Sequence, residues 1–224
     1  LRTYRDEQVR FGPRKMAAEG RTMLGSEQYN WLLNKIETSS AKWNMLGNSV
    51  MFSPMNLATL QQDDKTKPVS SSLSSNITGI PVNGDQWDGY SAERRLLIDA
   101  LSKHNSHTLF VTGDIHSEWA HNISKDGRIF GAEMVCASVS APNVNEQLKL
   151  PEGNELSKLA ERYLMGANPH TRHVDLDHHG YSYVTVHPDS AEMHWLRVDN
   201  LLTAKSPVRE AVTMTWRPGE GYSK

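Results

Sequence analysis

The run Thr108-Leu109-Phe110-Val111-Thr112 passes directly into Gly113-Asp114-Ile115-His116-Ser117. It is short, apolar and rich in β-formers, which predicts a buried strand. In open α/β sheets, ligands bind beyond the C-terminal ends of the strands. In extended backbone, residues i and i+2 point to the same side. Asp114 and His116 are therefore expected to converge on one point. A carboxylate oxygen suits a hard cation and an imidazole nitrogen a transition metal. Both residues are candidate metal ligands and catalytic groups. As a bare triplet, Asp-x-His reads more simply as a turn aspartate and a loop histidine, so the rest of the chain has to decide.

The chain has 224 residues, 38% hydrophobic and 22% charged, enough for a folded core. The net charge of −2 carries no basic excess of the kind nucleic acid attracts. A single cysteine excludes an internal disulfide framework. No apolar stretch approaches the ~18 residues of a membrane span. The chain begins at Leu1 and enters on Arg2, Arg5, Arg10, Arg14 and Lys15 with few apolar residues between them. We expect residues 1–20 to be a linker or surface arm, and the whole to be a processed or truncated piece of a longer polypeptide.

Ser26 is placed to cap a helix to about Thr38, with Tyr29, Leu32, Leu33 and Ile36 on one face. Residues 41–52 read as a strand broken near Gly47-Asn48. Residues 61–80 lack period and hydrophobic anchors, so a lid or mobile loop is expected. Ser91 is placed to cap a second helix, with Leu96, Leu97, Ala100 and Leu101 inward. The strand ending at Asp114 follows, which makes an α/β pattern. Beyond it, residues 119–123 and 128–139 read as strands joined by a Lys125-Asp126-Gly127 turn. A helix over 154–165 and strands near 172–176, 181–187, 191–198 and 211–216 complete the order.

Several patterns are set aside. Gly84-Asp85-Gln86-Trp87-Asp88 matches a G-D-x-x-D metal motif, but it follows a Ser-rich loop and stands in the wrong order. His170, His173, His178, His179 and His187 fit no zinc spacing and read as solvated turn histidines. His121 reads as a surface strand histidine, and Cys136 as core packing. No G-x-S-x-G is present for serine catalysis.

The chain does resemble a known family. Arg21-Thr22-Met23-Leu24-Gly25, Glu27-Gln28, Trp31-Leu32 and Trp43-Asn44-Met45-Leu46-Gly47-Asn48 are similar to blocks of PhoD-type (alkaline phosphatase D) metallophosphoesterases. So are Asp85-Gln86-Trp87-Asp88-Gly89-Tyr90, Thr112-Gly113-Asp114-Ile115-His116-Ser117, Asn168-Pro169-His170 and Gly180-Tyr181, in the family's order. The resemblance implies a calcineurin-like α/β fold, a four-layered α/β/β/α sandwich with a mixed sheet, of which residues 21–224 would be the C-terminal half. It implies hydrolysis of phosphomonoesters or phosphodiesters, with phospholipase D as a variant activity. It also implies a centre of iron with calcium and a periplasmic or secreted location. Asp114 and His116 match the family's G-D-x-H motif. Trp87, Tyr90, Trp119 and His170 are candidates for the substrate pocket. Two departures stand out: the upstream metal motifs are absent, and Ser49 stands where many members carry Gln. The rival expectation is a non-catalytic piece that acts only with its N-terminal half, possibly as a separate chain.

Overall fold

A computed structural model describes residues 18–56, 83–104 and 107–223. Helix Gly25–Thr38 (α1) leads into strand Trp43–Asn48 (β1). A 3-10 turn at Trp87–Tyr90 opens into helix Ser91–Lys103 (α2) and strand His107–Thr112 (β2). Strands Glu118–Lys125 (β3) and Arg128–Val135 (β4) form a hairpin. A short helix Val144–Gln147 (α3) and a longer one, Glu155–Ala167 (α4), follow. Strands Thr171–Asp175 (β5), Gly180–Val186 (β6), Ala191–Val198 (β7), Val208–Arg217 (β8) and Gly221–Ser223 (β9) close the order.

The strands form two sheets, one ordered β1-β2-β4-β3-β5 and one ordered β6-β7-β8-β9. In the first, β1, β2 and β4 run parallel, while β3 is antiparallel to both β4 and β5. That sheet is mixed, as expected. The second is antiparallel throughout. Trp195, Met193, Trp216 and Met214 of the second sheet pack onto Leu109, Ala120, Ala132 and Met134 of the first. The small Ala120 and Ala132 leave room for the indoles, so the inner faces interdigitate. The other face of the mixed sheet buries Phe110, Ile123 and Phe130 under Ile36 of α1 and Leu97 and Leu101 of α2. A third cluster joins Trp119, Val135 and Val174 to Leu164 of α4. Helices, mixed sheet and antiparallel sheet are three of the four expected layers. Among the described residues no helix packs across the outer face of the second sheet, where Tyr181 and Tyr183 are exposed.

The hairpin turn follows its chemistry. Asp126 (φ 50°) and Gly127 (φ 78°) are both left-handed, as a two-residue turn matching strand twist requires. The loop before α2 is held by a close backbone approach, since a Cβ on Gly89 would lie 1.9 Å from the Gly84 carbonyl oxygen.

Several local expectations are corrected. Ser26 does not cap α1; the amides of Met23 and Leu24 donate to the Glu93 carboxylate of α2. Ser91 is the first residue of α2, and its buried hydroxyl has no partner among the described residues. A carboxylate from a neighbouring helix thus ties down the chain entering α1 and places negative charge near its N-terminus, without capping it. Leu96 is 56% exposed, because it sits roughly 100° around the helix from Leu97. Strand β9 and helix α3 are too short for periodicity to reveal. Residues 1–17 of the expected arm and the whole 61–80 loop lie outside the described residues.

Candidate functional site

Because β1, β2 and β4 are parallel, their C-terminal ends share one edge of the sheet, and Asp114 and His116 lie on it. The segment is not extended. Asp114 (φ 74°) and His116 (φ 57°) are both left-handed, and the Ile115 amide donates to the Gly113 carbonyl at 3.0 Å. The i, i+2 argument therefore does not apply; a tight turn sets both side chains. Non-glycine residues held in this region store backbone strain, which clusters at functional sites.

Asp114 is exposed and makes no hydrogen bond or ion pair with another described residue. His116 is half-buried, and its Nδ1–H donates to the Pro142 carbonyl at 2.9 Å. With the proton on Nδ1, Nε2 keeps its lone pair, the arrangement that orients metal-binding histidines. Beneath the loop, Trp119 is 1% exposed and its indole N–H donates to Ser117 Oγ at 2.7 Å. Trp119 is thus a pillar under the site. Among the described residues, no group of three His, Cys, Asp or Glu side chains gathers to hold an ion.

The other pocket candidates sit apart. Trp87 is 3% exposed in the core below α2, and its indole N–H donates to Asn48 Oδ1 at the end of β1, at 3.2 Å. Tyr90 packs against the same core, with the Arg21 guanidinium 4.7 Å from its ring centroid. His170 donates from Nε2 to the Pro54 carbonyl at 2.8 Å. A groove of about 1130 Å³ runs between α1, α2 and the β3–β4 hairpin, past His170. It lies toward the N-terminal end of β2, and neither Asp114 nor His116 lines it. Several of its charges are paired: Arg94 with Asp88, Lys125 with Asp99, and Glu93 with the Met23 and Leu24 amides just before α1. The left-handed turn at the strand ends and the fixed His116 ring favour the Asp114 loop as the site.

Two buried carboxylates support the edge, and neither was anticipated. Glu133 is fully buried and accepts from the Phe52 amide (2.7 Å), the Ser53 amide (2.8 Å) and Thr112 Oγ1 (2.8 Å). Burial nevertheless pushes its pKa up. Glu118 receives Arg197 through Nε at 3.0 Å and Nη2 at 2.7 Å, and Arg197 also meets Asp175 at 2.8 Å. A charged residue inside the otherwise apolar run 129–135 of β4 was the available signal for Glu133.

The histidine readings change most. His121 is fully buried, between Thr171 Oγ1 (3.0 Å) and Met51 Sδ (3.3 Å), because β3 lies inside the sheet and this side chain faces the helices. His173 meets Glu118 at 3.0 Å, His178 meets Asp175 at 2.9 Å, and His179 is 8% exposed. Of the five turn histidines, His187 alone is substantially exposed, at 45% of its side chain. Asp88, in the G-D-x-x-D match, is buried and structural, bonded to the Met55 amide at 3.0 Å and to Arg94 at 2.7 Å.

Desolvation holds the His121 pKa well below its ordinary value, and that of His170 below it too. The unfolded chain, with imidazole pKa values near about 6.5, takes up these protons first. Stability from both is complete above about pH 6.5 and falls as the pH drops below it, by at most about 1.4 kcal/mol per unit for each group. His178 has the opposite sign: its hydrogen bond to Asp175 raises its pKa, so its contribution is present below about pH 6.5 and lost as pH rises through the folded value. Urea unfolding across about pH 7.5 to 5 should show a net loss in the wild type and a shallower one in His121→Gln. Equal slopes in the two proteins would contradict this assignment.

A family described as PhoD-like phosphatase matches residues 1–195. Alkaline phosphatase D of Bacillus subtilis (strain 168) is 32% identical over 199 residues, which cover 84% of this chain and 29% of that protein. A solved structure of PhoD superposes with a TM-score of 0.70 at 23% identity, over 94% of this chain and 36% of that one. At that identity the structural match speaks for the fold. The chain spans about a third of the length of these relatives.

Proposed function

The chain belongs to the PhoD-like phosphatase family, and we therefore propose that it supplies part of a metal-dependent centre that hydrolyses phosphoric esters. The observation that carries this reading is the Asp114–His116 turn: two ligand-type side chains on left-handed backbone, one with its ring fixed by Pro142. The family is metal-dependent in general, and this donor set fits a cation. Asp114 offers a carboxylate to a hard ion, and His116 an unprotonated Nε2 to a softer one. By resemblance these are calcium and iron. Bound together, such ions stabilise charge on the phosphoryl oxygens and acidify a bound water.

The residues of this chain orient and support. The exposure of Asp114 leaves the edge open to an ester from solvent. Trp119 acts through Ser117, and Trp87 through Asn48, from beneath the edge. Tyr90 and His170 are proposed further from the reacting atoms, where they shape the helix-side approach. Two ligands are fewer than the three or more that metal sites generally use. The others would come from the N-terminal half of the same domain, in one polypeptide or as a separate chain. That proposal is motivated by the 29% of the Bacillus subtilis protein that the chain spans. No described helix is long and apolar enough to cross a membrane. A periplasmic or secreted location is proposed on the resemblance.

The test uses a polypeptide that contains this chain together with its upstream half. Turnover of p-nitrophenyl phosphate, bis-p-nitrophenyl phosphate and phosphatidylcholine is compared before and after dialysis against a chelator. Loss of turnover and its return on adding iron and calcium are expected. The ranking of the three substrates separates monoesterase, diesterase and phospholipase D activity. Turnover indifferent to chelation would overturn the proposal.

A further inference from the structure

We infer that Asn143, Glu146 and His179 are positioning residues, which hold the Pro142 carbonyl so that His116 keeps its Nε2 free for a cation. The inference rests on the reading of His116 as a metal ligand and extends it to residues that touch neither ion nor ester. Pro142 accepts from His116 Nδ1 at 2.9 Å and from Gln147 Nε2 at 3.3 Å. What fixes that carbonyl is the turn that follows it. Asn143 caps α3: its Oδ1 accepts the Glu146 amide at 2.9 Å, and Glu146 Oε2 accepts the Asn143 amide at 3.1 Å. Such a reciprocal cap satisfies two orphan donors at once.

A helix of four residues has no stability of its own, so side chains from elsewhere must set its orientation. They do. Asn143 is 2% exposed and donates through Nδ2 to the Asp177 carbonyl at 2.5 Å. The Asp177 carboxylate in turn takes Asn145 Nδ2 and the Gly153 amide. His179 donates from Nδ1 to the Ser138 carbonyl at 3.1 Å, and its Nε2 faces Asn143 Nδ2 at 3.3 Å and Glu146 Oε2 at 3.1 Å, which ties the loop from Ser138 to Glu146 into an arch. Pro142 stands in that arch with its own φ locked. Without the arch, nothing else in the described structure presents an acceptor to His116 Nδ1.

The experiment reads the tautomer directly. Two-bond proton–nitrogen correlation spectra of the ¹⁵N-labelled chain are recorded well above the ordinary imidazole pKa of about 6.5, and the His116 signals are assigned by their loss in His116→Asn. Wild-type His116 should carry its proton on Nδ1. Asn143→Ala should shift it toward the Nε2–H form that free imidazole prefers, and Asn143→Ser, which keeps a capping oxygen, should restore most of the Nδ1–H form. Glu146→Ala, which removes the acceptor of the Asn143 amide at a half-exposed position, should shift it the same way. A wild-type Nε2–H tautomer, or an Nδ1–H signature unchanged in both Asn143→Ala and Glu146→Ala, would overturn the inference. In the complete polypeptide, the same variants should weaken cobalt(II) binding by about tenfold or more. A changed tautomer with unchanged cobalt affinity would overturn it as well. Cobalt affinity unchanged in His116→Asn would remove the ligand role itself, while the spectra still decide whether the arch holds the ring.

Discussion

His116→Asn and Asp114→Asn are each expected to lower phosphoester turnover on the order of a thousandfold, in a polypeptide that completes the centre. The choice of Asn matters. Both positions are left-handed, with φ of 57° and 74°, and Asn tolerates that region far better than Ala. The substitutions therefore remove the ligand atoms while sparing the turn. Losing a ligand from a metal-assisted reaction removes several kcal/mol of transition-state stabilisation, and about 1.4 kcal/mol is a factor of ten. Bound metal measured by elemental analysis should fall in step with turnover, while the thermal midpoint of the chelator-treated variant stays near that of chelator-treated wild type. Variants that keep both full metal content and full turnover would refute the assignment of the site.

Glu133→Ala is expected to cost about 3–5 kcal/mol of folding stability. The carboxylate is wholly buried and accepts two backbone amides and one hydroxyl. Its removal leaves the donors of Phe52, Ser53 and Thr112 with neither partner nor water, at about 1–3 kcal/mol each. Relief of the carboxylate's own desolvation offsets part of that cost, which is why the sum is not larger. Glu133→Gln keeps one acceptor oxygen but turns an NH2 toward donors, so about half the loss is expected. Denaturant unfolding of the two variants tests the ordering; a Glu133→Ala protein within about 1 kcal/mol of wild type would show that water reaches these groups. Because Phe52 and Ser53 lie in the loop leaving β1, and Thr112 ends β2, this carboxylate also ties that loop to the strand end before the Asp114 turn.

Much of the scaffold was legible because its signals are local. The apolar run at 108–112 is a strand, and Asp126-Gly127 makes the hairpin turn that its residues call for. The helices at Gly25–Thr38, Ser91–Lys103 and Glu155–Ala167 follow from periodicity, which reports the spacing of apolar side chains within one element. The ordered blocks that resemble PhoD-type enzymes were equally plain, and they lead to the family that matches residues 1–195.

Local signals thus reveal the longer helices and strands in their order, and the arrival of Asp114 and His116 at the end of a buried strand; the mixed sheet was legible only through the family resemblance. What each polar side chain meets is set by chain folded against it from far away in sequence. Pro142 lies 26 residues beyond His116, Glu133 lies 81 beyond Phe52, and Glu118 reaches Arg197 across 79. His121 became a buried neutral group because two neighbouring strands and the helix layer enclose it, not because of any residue beside it in the chain. The physical reason is the same in each case. A strand's pattern states which residues face inward, but hydrogen-bond partners, tautomers and desolvation depend on which distant backbone is folded against that face.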